Sequence, residues 1–266
     1  MTKITDFNDL QDRYTHIYLS PHLDDAVLSC GGAIVSHRRA GEQVLVVTLC
    51  TAAPSAEGPF SLLAQEFHRE WALPPEQVVA ARLREEAVAM ERVDVDYYWA
   101  GMLDAIYRYP EPYHSHETLF GVPAVDDPLA TDLREWIEQL HQRLPHARFY
   151  APLGVGSHVD HLITHTVAQD LGGDQVAFYE DFPYVTVDGA LDQRLANIDQ
   201  ALEHETILID STLEQKITAI DAYASQLNIL FGGSAAMAQS VTHYAQSLDP
   251  VDGTYAERLW RISIHT

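Results

Sequence analysis

Cysteine and basic residues are scarce in this chain of 266 residues. Its two cysteines, Cys30 and Cys50, lie in apolar stretches, so we expect two buried thiols rather than a disulfide. The 16 lysines and arginines are outnumbered by 39 acidic residues. The resulting net charge of −23 argues against nucleic acids and anionic membrane surfaces as partners. No apolar run approaches the roughly 18 residues of a membrane span, so none is predicted.

The first 15 residues are polar and lack the apolar segment of a signal peptide, so we expect a cytoplasmic protein. Apolar residues make up 47% of the chain, enough for a large buried core. Alternating strand and helix patterns predict an α/β fold, with a Rossmann-like, mostly parallel β-sheet and helices on both faces. We expect one domain over residues 1–266, with a core over about 14–185 and an extension of helices and strands over about 186–266.

Apolar runs bounded by turn residues predict the individual elements. Strands are predicted at 17–19, 42–51, 95–101, 148–153, 176–179 and 206–210. Helices are predicted at 26–39, 62–71, 74–92, 129–144, 213–230 and 235–247. Residues 185–206 are turn-rich, and a final segment covers 257–264. The loops at 53–61 and 105–127 are expected to shape a pocket, and the sequence does not determine what they recognise.

A first polar cluster lies between the strand at 17–19 and the following helix. It contains His22, Asp24 and Asp25. In α/β proteins, chemistry is placed at the carboxyl ends of the strands, where this cluster falls. An imidazole and two carboxylates at that edge predict a metal site. The alternative is that the two aspartates only cap the helix, which leaves His22 unexplained.

A second cluster occupies the same context after the strand at 148–153. It contains His158, Asp160 and His161. If the two strands are neighbours in the sheet, His22, Asp25 and His161 reach one point. Three protein ligands leave a position open for water, which is typical of catalytic zinc sites. Imidazole and carboxylate ligands suit Zn²⁺, and also Fe²⁺ or Mn²⁺.

The remaining residues of the two clusters suit hydrolysis. Asp24 is placed to act as a general base toward a water molecule. His158, as an imidazolium, would stabilise an oxyanion and later protonate a leaving amine. Asp160 would orient an imidazole. This set of groups predicts an amide or ester hydrolase.

Both clusters match known motifs. The segment His22-Leu-Asp-Asp25, followed by Gly31-Gly32, resembles the His-Pro-Asp-Asp-Glu…Gly-Gly motif of the LmbE-like, or PIG-L, zinc-dependent N-deacetylases, and His158-Val-Asp-His161 resembles their second motif. The resemblance covers about residues 14–185 and implies a Rossmann-like hydrolase of N-acetylated amino sugars. It implies the same zinc ligands, His22, Asp25 and His161, with Asp24 as base and His158 as electrostatic partner. Leu23 and Ala26 depart from the motif, where the family has proline and glutamate.

Two further roles follow from the resemblance alone. It implies that Arg82, in Arg82-x-x-Glu85, binds substrate and that Asp104 contacts sugar hydroxyls. The residues themselves suggest simpler roles: the charges of this helix, Glu86 among them, are typical of an exposed face with ion pairs, and Asp104 is typical of a helix cap.

The expected function is metal-dependent removal of an N-acyl group from an amino sugar or a related small glycoconjugate. An amidase acting on another small amide, such as a thiol conjugate, is one alternative, and a non-catalytic homologue is another. A nucleotide-binding module is disfavoured because no Gly-x-Gly-x-x-Gly follows the first strand. A homo-oligomer is compatible with the sequence.

Overall fold

The computed structural model of the protein describes residues 1–55, 58, 60–71, 75–248 and 254–263. The strands in these ranges are β1 Lys3–Ile4, β2 His16–Ser20, β3 Val44–Cys50, β4 Asp96–Met102, β5 Arg148–Pro152, β6 Val176–Tyr179, β7 Leu202–Leu208 and β8 Ala256–Ile262. The α-helices are α1 Asp25–Arg39, α2 Leu62–Glu70, α3 Pro75–Arg92, α4 Ala105–Arg108, α5 His116–Leu119, α6 Pro128–Arg143, α7 Val159–Gln169, α8 Ala190–Ala196, α9 Leu213–Ile220, α10 Ala224–Phe231 and α11 Ser234–Leu248. Pro74, part of the loop at 53–61 and Ile264 lie outside the described residues.

One sheet joins the described strands in the order β1-β4-β3-β2-β5-β6-β8-β7. The pairs from β1 through β6 are parallel, and β8 pairs antiparallel with both β6 and β7. All seven residues of β3 are buried, as expected for a strand covered on both faces. This arrangement confirms the predicted α/β class with a mostly parallel sheet.

The chain order reverses at β2. From β2 the chain passes through α1 to β3 on one side, whereas β5, the neighbour on the other side, continues through α7 to β6. Both connections are right-handed by the usual rule, which places α1 and α7 on opposite faces. Ligands of open α/β sheets bind outside the carboxyl ends of the strands at such a reversal. The two predicted clusters follow β2 and β5, so they meet at this point.

Two predictions in the extension are wrong. The helix predicted at 213–230 is two helices, α9 and α10, separated by Asp221–Tyr223. Contacts with α3 redirect the chain there, since Ser225 donates to Glu85 from both its backbone nitrogen and its hydroxyl, at 2.9 and 2.6 Å. The turn-rich interpretation of 185–206 missed α8 and most of β7, because β7 is defined by pairing with β8, which is distant in the sequence.

Two further observations concern the cysteines and the lengths of the helices. Cys30 and Cys50 are both free and buried. Among the described residues, no helix combines the length and the apolar character needed to cross a bilayer.

A buried ion pair is hydrogen-bonded to the backbone of α1. Glu257 of β8 accepts hydrogen bonds from the backbone nitrogens of Gly32 and Ala33, at 2.9 and 2.7 Å. Lys216 of α9 donates to Glu257 at 2.7 Å and to the Ser29 carbonyl at 3.2 Å. The side chains of Lys216 and Glu257 are each 5% exposed. The pair therefore joins three distant elements through charges that water barely reaches.

The two glycines of the first motif make room for this pair. A Cβ on Gly32 would lie 2.7 Å from Cγ2 of Ile209 and 3.0 Å from Oε1 of Glu257. A Cβ on Gly31 would lie 3.0 Å from Cγ of Lys216. The Gly-Gly sequence is thus required by packing between α1 and the extension.

We expect Glu257→Gln to lower the free energy of unfolding by about 3 kcal/mol, because it leaves the Lys216 charge buried without its partner. Urea denaturation followed by circular dichroism measures this loss. Glu205→Gln is the matched control: Glu205 pairs with Arg148 at 2.8 Å, but both side chains are 28% exposed. Its cost should stay below about 1 kcal/mol. Equal costs for the two variants would contradict the role given to the buried pair.

Glu86 was assigned to an exposed face, and this is wrong: its side chain is completely buried. It accepts hydrogen bonds from the hydroxyls of Thr48, at 2.7 Å, and Tyr223, at 2.5 Å, and no ion pair with a cationic side chain is among its contacts in the described chain. Burial raises the pKa of Glu86 from 4.5 to about 7, although the two hydroxyl donors oppose the shift. The folded state therefore favours the protonated form.

This shift predicts a pH-dependent stability. Because the folded pKa is raised, the contribution of Glu86 is fully present below pH 4.5 and is lost as the pH rises through about 7. Glu86→Gln should therefore stabilise the protein above pH 7, by roughly 3 kcal/mol at most, and should make little difference near pH 4.5. Urea unfolding at both pH values, with chelator present to remove bound cations, tests this. A variant that is less stable than wild type at pH 8 would contradict it.

Candidate active site

The first cluster is shaped by the turn between β2 and α1. The Ser20 hydroxyl donates to the His22 carbonyl at 2.7 Å and accepts from the Ala26 nitrogen at 3.0 Å. The His22 backbone nitrogen donates to Asp25 Oδ2 at 2.7 Å. Asp24 stands at the N-cap position with φ of 144°, and its side chain makes no capping hydrogen bond. The capping alternative therefore does not account for the Asp24 side chain, and the backbone of Asp24 is strained.

The second cluster follows β5 through a turn with three positive φ angles, 89° at Gly154, 89° at Gly156 and 63° at Ser157. This turn brings the chain back into α7. His158 caps α7, because its Nδ1 accepts from the Asp160 nitrogen at 3.2 Å. His161 lies within the first turn of the helix and is 2% exposed.

Three predicted ligands converge on one point. His22 Nδ1 lies 3.2 Å from His161 Nε2, and Asp25 Oδ2 lies 3.4 Å from each of these nitrogens. Ligand atoms about 2.1 Å from a tetrahedral metal are separated by about 3.4 Å, so this triangle has the size of a metal site. The sheet pairing of β2 with β5 produces this convergence.

The partners of the two imidazoles fix their tautomers. His161 Nδ1 lies 2.7 Å from Asp181 Oδ1, and His22 Nε2 lies 3.1 Å from Asp160 Oδ2. Each ring donates to its carboxylate and so turns a lone pair toward the centre of the triangle. Metal-ligating histidines are held by carboxylates in this way. Two facing lone pairs beside the Asp25 carboxylate require a positive charge between them, so the donor set fits a divalent metal ion.

The pKa values of the two histidines also indicate that positive charge is favoured at the centre of the triangle. Burial alone would lower the pKa of His161, but Asp25 and Asp181 outweigh it and raise the pKa to about 9. Burial likewise opposes protonation of His22, whose contacts with Asp160 and Asp25 raise its pKa well above 6.5. A proton is attracted to the position that a metal ion would occupy.

Asp24 and His158 flank the triangle. Burial raises the pKa of Asp24 to about 7, while Arg82, 3.5 Å from Asp24 Oδ2, lowers it. Burial, and then the charge of His22, hold the pKa of His158 well below 6.5. The imidazolium expected for His158 is therefore wrong for the resting site. Since Nδ1 accepts a hydrogen bond, the neutral ring carries its proton on Nε2.

The other sequence-predicted residues also reach the site. Arg82 donates to the Leu23 carbonyl at 3.2 Å, and its Nε is buried with no hydrogen-bond partner among the described residues. Asp104 caps α4 through the Ile106 nitrogen, as the simpler interpretation predicts, and its Oδ2 also lies 3.5 Å from His22 Nε2. Asp160 is completely buried and orients His22.

Asp181 and Arg108 were not identified from the sequence. Asp181 follows β6, so the rule that found the other clusters at strand ends also covers it. Arg108 donates to Asp160 Oδ1 at 2.6 Å, a contact that depends on the path of a long loop and leaves no local signal.

Three groups of candidate ligand atoms occur among the described residues, and the first joins His158 to His22 and His161 of the triangle. His16, His37 and Glu42 lie near the amino end of β2, at the opposite end of the strand from the triangle. There the two imidazole rings are stacked with centroids 3.8 Å apart. Glu42 Oε2 lies 3.2 Å from His16 Nε2 and 2.6 Å from His37 Nδ1, so this carboxylate already pairs with both rings. Cys50 lies with His22 and Asp160, but burial raises the pKa of its thiol far above 9, so it remains a protonated thiol.

A pocket of about 250 Å³ opens above the triangle. Its floor is polar and contains His22, Asp24, Asp25 and His158, with Arg82 and Asp104 beside them. The walls are largely apolar and come from α1, α2, α5, α10 and the segment after β6. The apolar lining residues are Leu28, Phe67, Trp71, Ile106, Leu119, Phe120, Phe182, Pro183, Tyr184, Ile229 and Leu230.

The chain is similar in sequence to known deacetylases. The family model PIG-L, described as GlcNAc-PI de-N-acetylase, matches residues 17–171. A 2'-N-acetylparomamine deacetylase of Streptomyces fradiae is 29% identical over 187 residues, which cover 66% of this chain and 60% of that protein. A protein of the same description from Niallia circulans is 30% identical over 191 residues, covering 65% of this chain and 69% of that protein. The chain thus spans about 60% of the length of the first relative.

A solved structure extends the similarity over nearly the whole chain. The deacetylase of the A40926 pseudoaglycone superposes with a TM-score of 0.76 at 26% identity, and the match covers 95% of this chain and all of that one. The family model includes both clusters and spans more than half of the 266 residues. The chain belongs to the PIG-L family, the GlcNAc-PI de-N-acetylases.

Proposed function

We propose that this protein is a zinc-dependent N-deacetylase of an amino-sugar glycoconjugate. The observation that carries the proposal is the triangle formed by His22 Nδ1, His161 Nε2 and Asp25 Oδ2, with edges of 3.2 to 3.4 Å, beside the acid–base candidate Asp24. The relatives described as deacetylases of N-acetylparomamine and of the A40926 pseudoaglycone support the reaction type.

Zinc suits the donor set of two imidazoles and one carboxylate, although Fe²⁺ and Mn²⁺ accept the same ligands. His22, Asp25 and His161 would hold the ion, and Asp181 and Asp160 would keep the two imidazoles in the ligating tautomer. When bound, the ion supplies a Lewis acid for the amide carbonyl and makes a neighbouring water more acidic.

Asp24 and His158 have different roles in the reaction. Asp24 takes a proton from the attacking water, and a pKa of about 7 suits a base that must also return a proton near neutral pH. His158 donates a hydrogen bond from Nε2 to the carbonyl oxygen as negative charge develops there. Asp24, now protonated, gives its proton to the amine nitrogen as the C–N bond breaks. The water oxygen has by then bonded to the carbonyl carbon, and its second proton passes from the acetic acid to the amine, so acetate and a protonated amine result.

The walls of the pocket indicate the kind of amino sugar. The polar groups of the floor match an acetamide and the sugar hydroxyls around it, with Asp104 and Arg82 beside them. The apolar walls match an aromatic or aliphatic group attached to the sugar. We therefore favour a glycoconjugate with an apolar aglycone over a free monosaccharide.

A non-catalytic role and a thiol-conjugate amidase are less well supported. A binding module would not need the strained Asp24 beside a complete set of ligands, since the strain and the buried carboxylate both cost stability. No observation favours a thiol-conjugated substrate in particular.

The proposed roles of metal ligand and general base can be separated by substitution. We expect His161→Ala to lose the metal, because one of three protein ligands is removed. Asp24→Asn should keep the metal and lose activity by about 10² to 10⁴ fold, because the amide cannot accept a proton. Metal content by plasma mass spectrometry and acetate release from an N-acetylated amino sugar provide the two measurements. Full activity of Asp24→Asn would refute the assignment of the base.

The preference for an apolar aglycone can be tested by a substitution at the rim of the pocket. Ile229 lines the pocket although it is 42% exposed. We expect Ile229→Ser to raise KM for p-nitrophenyl N-acetylglucosaminide by about fivefold, which corresponds to roughly one buried methylene, and to leave turnover of free N-acetylglucosamine unchanged. Val88→Ser is the matched control, because Val88 is 40% exposed and is not a lining residue. Equal effects of Ile229→Ser on both substrates would contradict the preference.

A further inference from the structure

We propose that Arg108 is a positioning residue that holds the metal ligand His22 through Asp160 and couples it to the loop forming one wall of the pocket. The inference rests on the proposed function, because it concerns the same metal site. Arg108 is the last residue of α4 and its side chain is 7% exposed. Its side chain makes no hydrogen bond to the ligand triangle and Arg108 is not a lining residue of the pocket, so its effect must pass through another residue.

The guanidinium of Arg108 joins two buried carboxylates. It binds Asp127 with two hydrogen bonds, from Nε at 2.8 Å and from Nη2 at 2.9 Å. Nη2 also donates to Asp160 Oδ1 at 2.6 Å, and Nη1 donates to the Leu103 carbonyl at 2.5 Å. The side chains of Asp127 and Asp160 are completely buried. A planar fork with several donors is suited to this task, whereas a lysine can reach only one carboxylate at a time.

Asp160 is oriented by this contact. With Oδ1 held by Arg108, its Oδ2 faces His22 Nε2 at 3.1 Å and the Ala105 nitrogen, also at 3.1 Å. Rotation of the carboxylate would remove the partner that fixes the His22 ring. Arg108 therefore determines where Nδ1 of His22 points, two hydrogen bonds away.

Asp127 ties the same guanidinium to the wall of the pocket. Asp127 caps α6 through the Leu129 nitrogen at 2.9 Å and accepts from the Tyr113 hydroxyl at 2.8 Å. The chain between Arg108 and Asp127 contains α5 and carries three lining residues of the pocket, His116, Leu119 and Phe120. One buried side chain thus connects the ligand and the loop that faces the substrate.

The principal test is the zinc affinity of Arg108→Lys, measured by competition with a chromophoric chelator at constant pH. Lysine retains the charge but reaches only one of the two carboxylates, so the melting temperature of the apo variant is measured as well and zinc affinity is compared at a temperature where both proteins are folded. We expect zinc affinity to fall by about tenfold, the lower end of the range for partners of metal ligands. The control is Arg134→Lys, since the Arg134–Asp170 pair is 45% and 60% exposed. It should bind zinc as the wild type does.

A double-mutant cycle identifies the route. Asp160→Asn should weaken zinc binding by itself, and Arg108→Lys should then cause little further loss, because its effect passes through Asp160. Additive losses would show a general structural effect and overturn the proposal. Wild-type zinc affinity in Arg108→Lys would also overturn it. Zinc binding without acetate release by the wild type would instead count against the proposed function and leave this result interpretable.

Discussion

The site depends on an electrostatic constraint at the carboxyl ends of β2 and β5. Two imidazole lone pairs and a carboxylate oxygen face one another within 3.4 Å, away from water, and the outer nitrogens of both rings are already committed to carboxylates. These groups repel one another unless positive charge lies between them. The surrounding fold therefore has to hold the ligands in place against that repulsion. The hydrogen bonds of Asp160, Asp181 and Ser20 serve this purpose.

Acidic residues around the site set the charge that a bound cation must balance. Asp24, Asp25, Asp104, Asp160 and Asp181 all lie near the triangle, whereas Arg82 and Arg108 are the neighbouring guanidinium groups in the described chain. The excess of negative charge favours a dication and disfavours an anionic substrate at the floor. This agrees with a neutral acetamide as the reacting group and with walls that offer apolar surface.

Much of the fold and of the site was predictable because both follow local rules. The valine-rich pattern of β3 and the polar residues directly after β2 and β5 carry their own signal, and the sheet reversal then brings His22 and His161 together. Glu86 was not predictable, because its helix presents charged residues on several sides and only the position of Tyr223 shows which side is covered. Arg108 was not predictable because its partners, Asp127 and Asp160, are set by the path of the loop. The break between α9 and α10 likewise depends on contacts with α3.

The buried ion pair that contacts α1 affects how the whole protein folds. The helix that begins with the proposed ligand Asp25 donates two backbone hydrogen bonds to Glu257, near the end of the chain. The first motif and the last strand therefore cannot reach their native structures independently, and we expect a single cooperative transition rather than an early folding core with a later addition. Asp25 therefore reaches its native position only when β8 has packed against α1.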